Sequence, residues 1–254
     1  MISGLVKALD SRHLGSALAS ARRAFRMNRA VAGLGLNGAI AWQIPLEAPN
    51  SVAELCDQHG SDKGSRLEGG RAYRWMPHRY CEFYARMFDH CRLSVRRVFE
   101  CGLGTGNDQF SANMGPDARP GASLRVWRDY FPHAQIHGAD IDRSILFSED
   151  RIKTFFVDQT SPALIEAMWR DVGEDAFDLI IDDGLHTVDA AETLFLGSFG
   201  KLRQGGVYVV EDMFESYAVS LCNRLGRHGV FPEIVGTTAL SGGTDSFLVV
   251  IRHR

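Results

Sequence analysis

At 254 residues the chain is long enough for one large α/β domain, or for one such domain with a short appended segment. Hydrophobic residues make up 45% of it and charged residues 23%, which excludes a disordered or fibrous protein. A formal charge of −3 gives no global electrostatic reason to bind nucleic acid, so the expected partner is a small molecule.

From Ser11 to Leu46 there is no acidic residue, while Arg12, Arg22, Arg23, Arg26 and Arg29 lie among Ala, Ser and Leu. Residues 1–48 therefore read as a basic helical segment that packs on the main domain or on a second subunit, giving a homo-oligomer. An organelle-targeting peptide or a membrane-surface helix is the alternative. No apolar run approaches the roughly 20 residues needed to cross a bilayer, so no membrane partner is expected. The main domain is expected over 49–254. Cys56, Cys81, Cys91, Cys101 and Cys222 lack any C-x-x-C spacing. That argues against a disulfide framework or a thiolate zinc site and for a reducing, cytoplasmic setting.

The spacing predicts a short helix over Ser51 to Gln58, with Ser51 as N-cap and Glu54 closing a capping box. "HGSDKGSRLEGGR" then reads as a polar loop. After Pro77, Tyr80, Phe83, Tyr84, Met87 and Phe88 recur at helical spacing, which predicts one buried aromatic face. From Arg96 onward "RRVFEC", "QIHGADI", "IKTFFVD", "FDLIIDD" and "GVYVVED" are strand candidates alternating with helical stretches, the pattern of a doubly wound, mostly parallel sheet. "FPEIVG" and "SFLVVIR" close the chain as a final pair of strands. Each of the first five runs carries an acid at or near its end, where ligands gather in open α/β sheets.

"VFECGLGTGN" ends the first of these strands at Glu100 and follows it with Gly102, Gly104 and Gly106. Glycines there let the backbone turn sharply and approach a ligand closely. A dinucleotide loop or a simple tight turn would look similar, but the spacing is E-x-G-x-G-x-G and not G-x-G-x-x-G. Asp140, ending the next strand, can accept two ribose hydroxyls. Together these favour S-adenosylmethionine as cofactor. Asp158 and Gln159, after the third strand, offer an acceptor and a donor to an adenine edge, although Asp158 could equally cap the helix that begins at Ser161-Pro162.

Two acid pairs follow on neighbouring strands: Asp182 and Asp183 in "DDGLH", and Glu211 and Asp212 in "VVEDM". Four unpaired carboxylates brought together would repel unless a cation neutralised them. An all-oxygen set favours Mg²⁺, then Mn²⁺ or Ca²⁺, with Asp183, Glu211 and Asp212 as ligands. Asp182 is assigned to the cofactor side, bracing the strand end. His186, three residues past Asp183, has a reference pKa suited to a general base; a helix-capping histidine is the alternative.

The ordered set "HGSDKGS", "ECGLGTG", "GASLRVWRDYFPHAQIHGADID", "FFVDQ", "DDGLHT" and "LRQGGVYVVED" resembles metal- and S-adenosylmethionine-dependent sugar O-methyltransferases of natural-product, macrolide-type biosynthesis. The resemblance implies a Rossmann-like class I methyltransferase fold whose last strand is antiparallel. It further implies Mg²⁺ on Asp183, Glu211 and Asp212, His186 as base, and a glycoside acceptor. Leu185 departs from the serine usual at that position, which puts the hydrogen bonding around the motif in question. Lys63, in the family's D-K-G segment, could face the methionine carboxylate or be a solvated loop lysine. A catechol or phenolic acceptor, a non-catalytic S-adenosylmethionine-binding protein and an NAD-linked enzyme are the competing readings. The intact acid cluster opposes the second of these and the glycine spacing the third.

Overall fold

A computed structural model describes residues 41–44, 50–65, 75, 77–237 and 247–254. Among these residues nine strands form one sheet: β1 (Ala41–Ile44), β2 (Arg97–Cys101), β3 (Gln135–Asp140), β4 (Ser148–Glu149), β5 (Ile152–Phe156), β6 (Phe177–Asp182), β7 (Leu202–Met213), β8 (Glu233–Thr237) and β9 (Phe247–Arg252). Their order is β1-β8-β9-β7-β6-β2-β3-β5-β4. β9 runs antiparallel to both β7 and β8, and β4 antiparallel to β5. The remaining pairs are parallel, so the expected antiparallel last strand is present.

Among the described residues six α-helices cover the sheet: α1 (Ser51–His59), α2 (Tyr80–Phe88), α3 (Ala122–Tyr130), α4 (Pro162–Val172), α5 (Val188–Ser198) and α6 (Glu215–Gly226). Strand residues alternate between two apolar layers because successive side chains point to opposite faces. Val98, Leu179, Ile181, Val207 and Val209 pack beneath α1, α2 and α3. Phe99, Ile180, Tyr208 and Val210 pack against α4, α5 and α6. Both faces of the sheet are thus covered, which is why the strands read as near-continuous apolar runs.

Capping explains where the helices begin. Asn50, extended at φ −127°, accepts the amide of Ala53, so the N-cap of α1 is Asn50, one position earlier than the sequence reading placed it, and Ser51 is the first helical residue. Ser161 caps α4 with Pro162 in its first turn. The aromatic face of α2 is buried as expected, with Tyr80, Phe83, Tyr84 and Phe88 all in the core. In α3, Leu124 and Trp127 are buried and so is Phe131 just past its end, whereas Arg128 stays partly exposed and pairs with Asp129 and Glu149.

β1 falls within the segment read as a basic helix and pairs in parallel with β8. The rest of that segment lies outside the described residues, as does the loop between β8 and β9. All five cysteines are free, four buried and Cys91 half-buried. Among the described residues no helix is long and apolar enough to cross a membrane.

Candidate functional site

A cavity of about 520 Å³ opens at the carboxyl ends of the parallel strands. One side is the glycine loop after β2, the other the D-D-G-L-H turn after β6. Gly102 holds φ +97° and packs against the carbonyl of Asp183, leaving no room for a Cβ. Gly104 is also left-handed, at φ +80°. These two positions fold the loop flat against the neighbouring strand end, and the amide of Asp183 is in turn bonded to the carbonyl of Cys101 at 2.8 Å.

Asp140 faces this loop. Its two oxygens accept the backbone amides of Leu103 at 2.7 Å and Asp142 at 2.8 Å. Burial raises its pKa, and those amide donors oppose the rise. Asp142, which the sequence reading overlooked, accepts from the Thr105 hydroxyl at 2.5 Å and so ties the loop to the end of β3. Asp158 and Gln159 line the same cavity. Asp158 accepts from the amide and hydroxyl of Thr160, a local turn, and Ser161 caps the helix. Gln159 is a clamp between strand ends: its Nε2 donates to Asp182 at 3.1 Å and its Oε1 accepts from the Leu185 amide at 2.7 Å. The backbone of Leu185, whose side chain cannot hydrogen-bond, is held in this way.

Strand alternation sorts the acids that look like a single cluster in the sequence. Glu100 and Glu211 lie on the α2–α3 side, completely buried. Glu100 accepts from Ser123 at 2.7 Å and from the Trp127 indole; Glu211 accepts from the Tyr84 hydroxyl and from Lys63. Asp182 lies on the opposite face, where burial pushes its carboxyl up to about 6 and one of its oxygens has no partner among the described residues. Asp183 follows the last residue of β6 and Asp212 is the penultimate residue of β7, and both line the cavity. Asp182 is therefore kept apart from the other acids, whereas Glu211 and Asp212, at the register shift that ends β7 and with Asp212 left-handed, reach Tyr84 and Tyr80 on the same face of α2.

What does converge is Asp183, His186 and Asp212, with ligand-type atoms within 4.8 Å of one another and all three half-buried. His186 and Asp212 both hold left-handed backbone, at φ 56° and 54°. His186 sits just before Thr187, which caps α5, so it is not itself the cap. Asp212 accepts from the Tyr80 hydroxyl at 2.5 Å, and its amide donates back to the same oxygen at 3.2 Å. His78 Nδ1 lies 3.4 Å from Asp212, with its Nε2 3.7 Å from Asp62, whose carboxylate accepts the Trp75 indole. Tyr80, Tyr84 and His78 are site residues that sequence reasoning missed, while Asp62 belongs to the D-K-G segment that the resemblance singled out. The i, i+4 spacing of the two tyrosines signalled one face, but apolar periodicity gives no sign that its hydroxyls reach acids.

Lys63 is only 3% exposed. Its ammonium contacts Asp183 at 2.5 Å and Glu211, and lies 3.5 Å from Glu100. Burial alone would depress its pKa, but Asp183, Glu211 and Glu100 outweigh that and raise it. It is neither a solvated loop lysine nor turned solely toward a ligand.

No family model matches the chain. A rhamnosyl tetracenomycin-C 2'-O-methyltransferase of Streptomyces olivaceus is 34% identical over 166 residues, covering 65% of this chain and 38% of that protein. The mycinamicin VI 2''-O-methyltransferase of Micromonospora griseorubida is 36% identical over 140 residues, 55% of this chain and 33% of that one. Over these stretches the chain is similar to sugar O-methyltransferases. Among solved structures, MycE methyltransferase of the mycinamycin pathway, in complex with Mg and SAH, aligns at 31% identity and a TM-score of 0.51. That alignment covers 65% of this chain and 40% of MycE. The fold is accordingly that of a class I methyltransferase. The chain spans under half the length of these relatives.

Proposed function

We propose that the chain is an S-adenosylmethionine- and Mg²⁺-dependent O-methyltransferase acting on a sugar hydroxyl of a glycosylated natural product. The observation that carries this reading is one cavity holding both the glycine loop with Asp140 and, at its other end, Asp183, His186 and Asp212. The sugar O-methyltransferase relatives and the Mg and SAH bound in MycE support it. The cavity's volume suits a molecule the size of S-adenosylmethionine. The paired carboxylates of Asp183 and Asp212 suit a divalent cation, their hard oxygen donors favouring Mg²⁺ or Mn²⁺, with His186 beside them.

Asp183 and Asp212 would hold the ion directly, with Glu211 as the third carboxylate of the set, placed behind them. When bound, the ion supplies positive charge that acidifies an acceptor hydroxyl and orients two vicinal oxygens. His186 takes the proton from that hydroxyl. The oxygen then forms its bond to the methyl carbon as the carbon–sulfur bond breaks, and S-adenosylhomocysteine leaves with the electron pair on sulfur. Asp140 and the glycine loop fix the donor, so the chain's contribution is chiefly orientation. The basic segment within 1–48 would mediate self-association, and the cytoplasm is the proposed location.

Calorimetry with S-adenosylhomocysteine should show binding where NAD shows none; the reverse would end the cofactor assignment. EDTA should abolish methyl transfer and Mg²⁺ restore it. His186→Ala separates base from ligand: retained Mn²⁺ affinity with most of the rate lost makes it the base, whereas lost affinity makes it a ligand.

A further inference from the structure

We infer that Lys63 is a resident counter-cation of the acid cluster, which competes with the divalent ion for Asp183 and Glu211 and keeps the site's metal affinity low. This rests on the metal reading above.

Three observations lead here. First, a lysine 3% exposed is placed among Asp183, Glu211 and Glu100, and a buried ammonium is tolerated only where charge is returned to it. Second, among the described residues Lys63 is the cation beside the two glutamates. Their remaining described partners are the neutral donors Tyr84, Ser123 and Trp127. Third, Lys63 bridges the two populations that strand alternation separates, touching Asp183 on the cavity side and Glu211 on the α2–α3 side. The ammonium thus occupies one side of the carboxylate that the metal set also needs.

The consequence is competitive. A divalent ion entering between Asp183 and Asp212 meets a positive charge already bonded to Asp183, and like charges at this range disfavour one another. Lys63 is a positioning residue in this account: it keeps Glu211 and Asp183 ordered without a metal and weakens the metal when it comes. It has no part in transferring the methyl group.

The test uses the full chain and Mn²⁺ alone, without cofactor or acceptor. By calorimetry, Lys63→Met should bind Mn²⁺ at least tenfold more tightly than the native chain, while Lys63→Arg, which keeps the charge, should remain within threefold. In metal-free buffer Lys63→Met should melt at a lower temperature and recover much of the loss when Mn²⁺ is added. Unchanged or weaker Mn²⁺ binding in Lys63→Met overturns the inference. If the native chain binds no Mn²⁺ at all, the metal reading itself fails, a separate outcome. Should Lys63→Met not fold, the native chain still decides: the ammonium ¹⁵N resonance of Lys63, assigned by its loss in Lys63→Arg, must shift on titration with Mg²⁺. A resonance that stays put refutes competition.

Discussion

Replacing Gly102 by alanine tests whether the close approach of the glycine loop to the D-D-G-L-H turn is what builds the cavity. Two costs add. The backbone holds φ +97°, where a residue with a Cβ loses about 1–2 kcal/mol. The new methyl would then fall inside the van der Waals envelope of the Asp183 carbonyl, which is main chain and cannot rotate away. Forcing extra volume into such a contact costs about 1–3 kcal/mol. Together these give about 2–5 kcal/mol, a fall in Tm of roughly 5–15 °C for a chain of this size. Gly115→Ala is the matched control, since Gly115 is also left-handed, at φ +70°, yet has nothing within 4 Å of the Cβ position. It should lose only the backbone cost, about 1–2 kcal/mol. Thermal unfolding of both variants, with S-adenosylhomocysteine affinity measured alongside, isolates the steric difference. If Gly102→Ala is no less stable than Gly115→Ala and binds the cofactor product equally well, the loop does not depend on that contact and the reasoning fails.

Trp127→Phe removes the indole donor from the buried Glu100 carboxylate. It should cost about 1–3 kcal/mol in chemical denaturation. His186→Gly releases a left-handed backbone that costs roughly 1–2 kcal/mol for a non-glycine residue. Its Tm should therefore be unchanged or higher, while the rate of methyl transfer falls by about 10²-fold or more. For the thiols, burial pushes Cys81 and Cys222 up to about 12 and raises Cys56 and Cys101 well above their usual value. Ellman's reagent at pH 8 should therefore label at most the half-buried Cys91 in the native chain and all five cysteines after denaturation; two or more fast native thiols would contradict the packing.

The strands were legible because each is a short β-rich run, most of them flanked by glycine, proline or an acid, and both sheet faces are buried. β1 was hidden inside a segment whose arginines and alanines suggested a helix. A two-residue strand such as β4 offers no periodicity to read. At the site, the E-x-G-x-G-x-G loop and the D-D-G-x-H turn could be recognised because their spacing is local. The separation of Glu211 from Asp212 could not, since it depends on the register shift at the end of β7 and the left-handed backbone of Asp212. Lys63 stands 148 residues from Glu211. No local pattern links them; only the folded sheet end brings the loop after α1 over the acids. The same holds for Tyr80 and Tyr84, whose hydroxyl partners lie on β7.

The sorting of Glu211 and Asp212 to different surroundings has a consequence for how such a chain can vary. Point substitution along β7 changes what stands at a fixed address, and the apolar positions there can exchange one aliphatic residue for another. A single-residue shift ahead of Glu211 would do something else: a deletion would bring aspartate to the lysine and leave the cavity position to Met213, and an insertion would bring glutamate toward the cavity and leave the lysine facing Val210. The strand is in this sense read in frame. Its composition is free to drift over generations, whereas its length between the β6 contact and the acid pair is held by the two different partners waiting at its end.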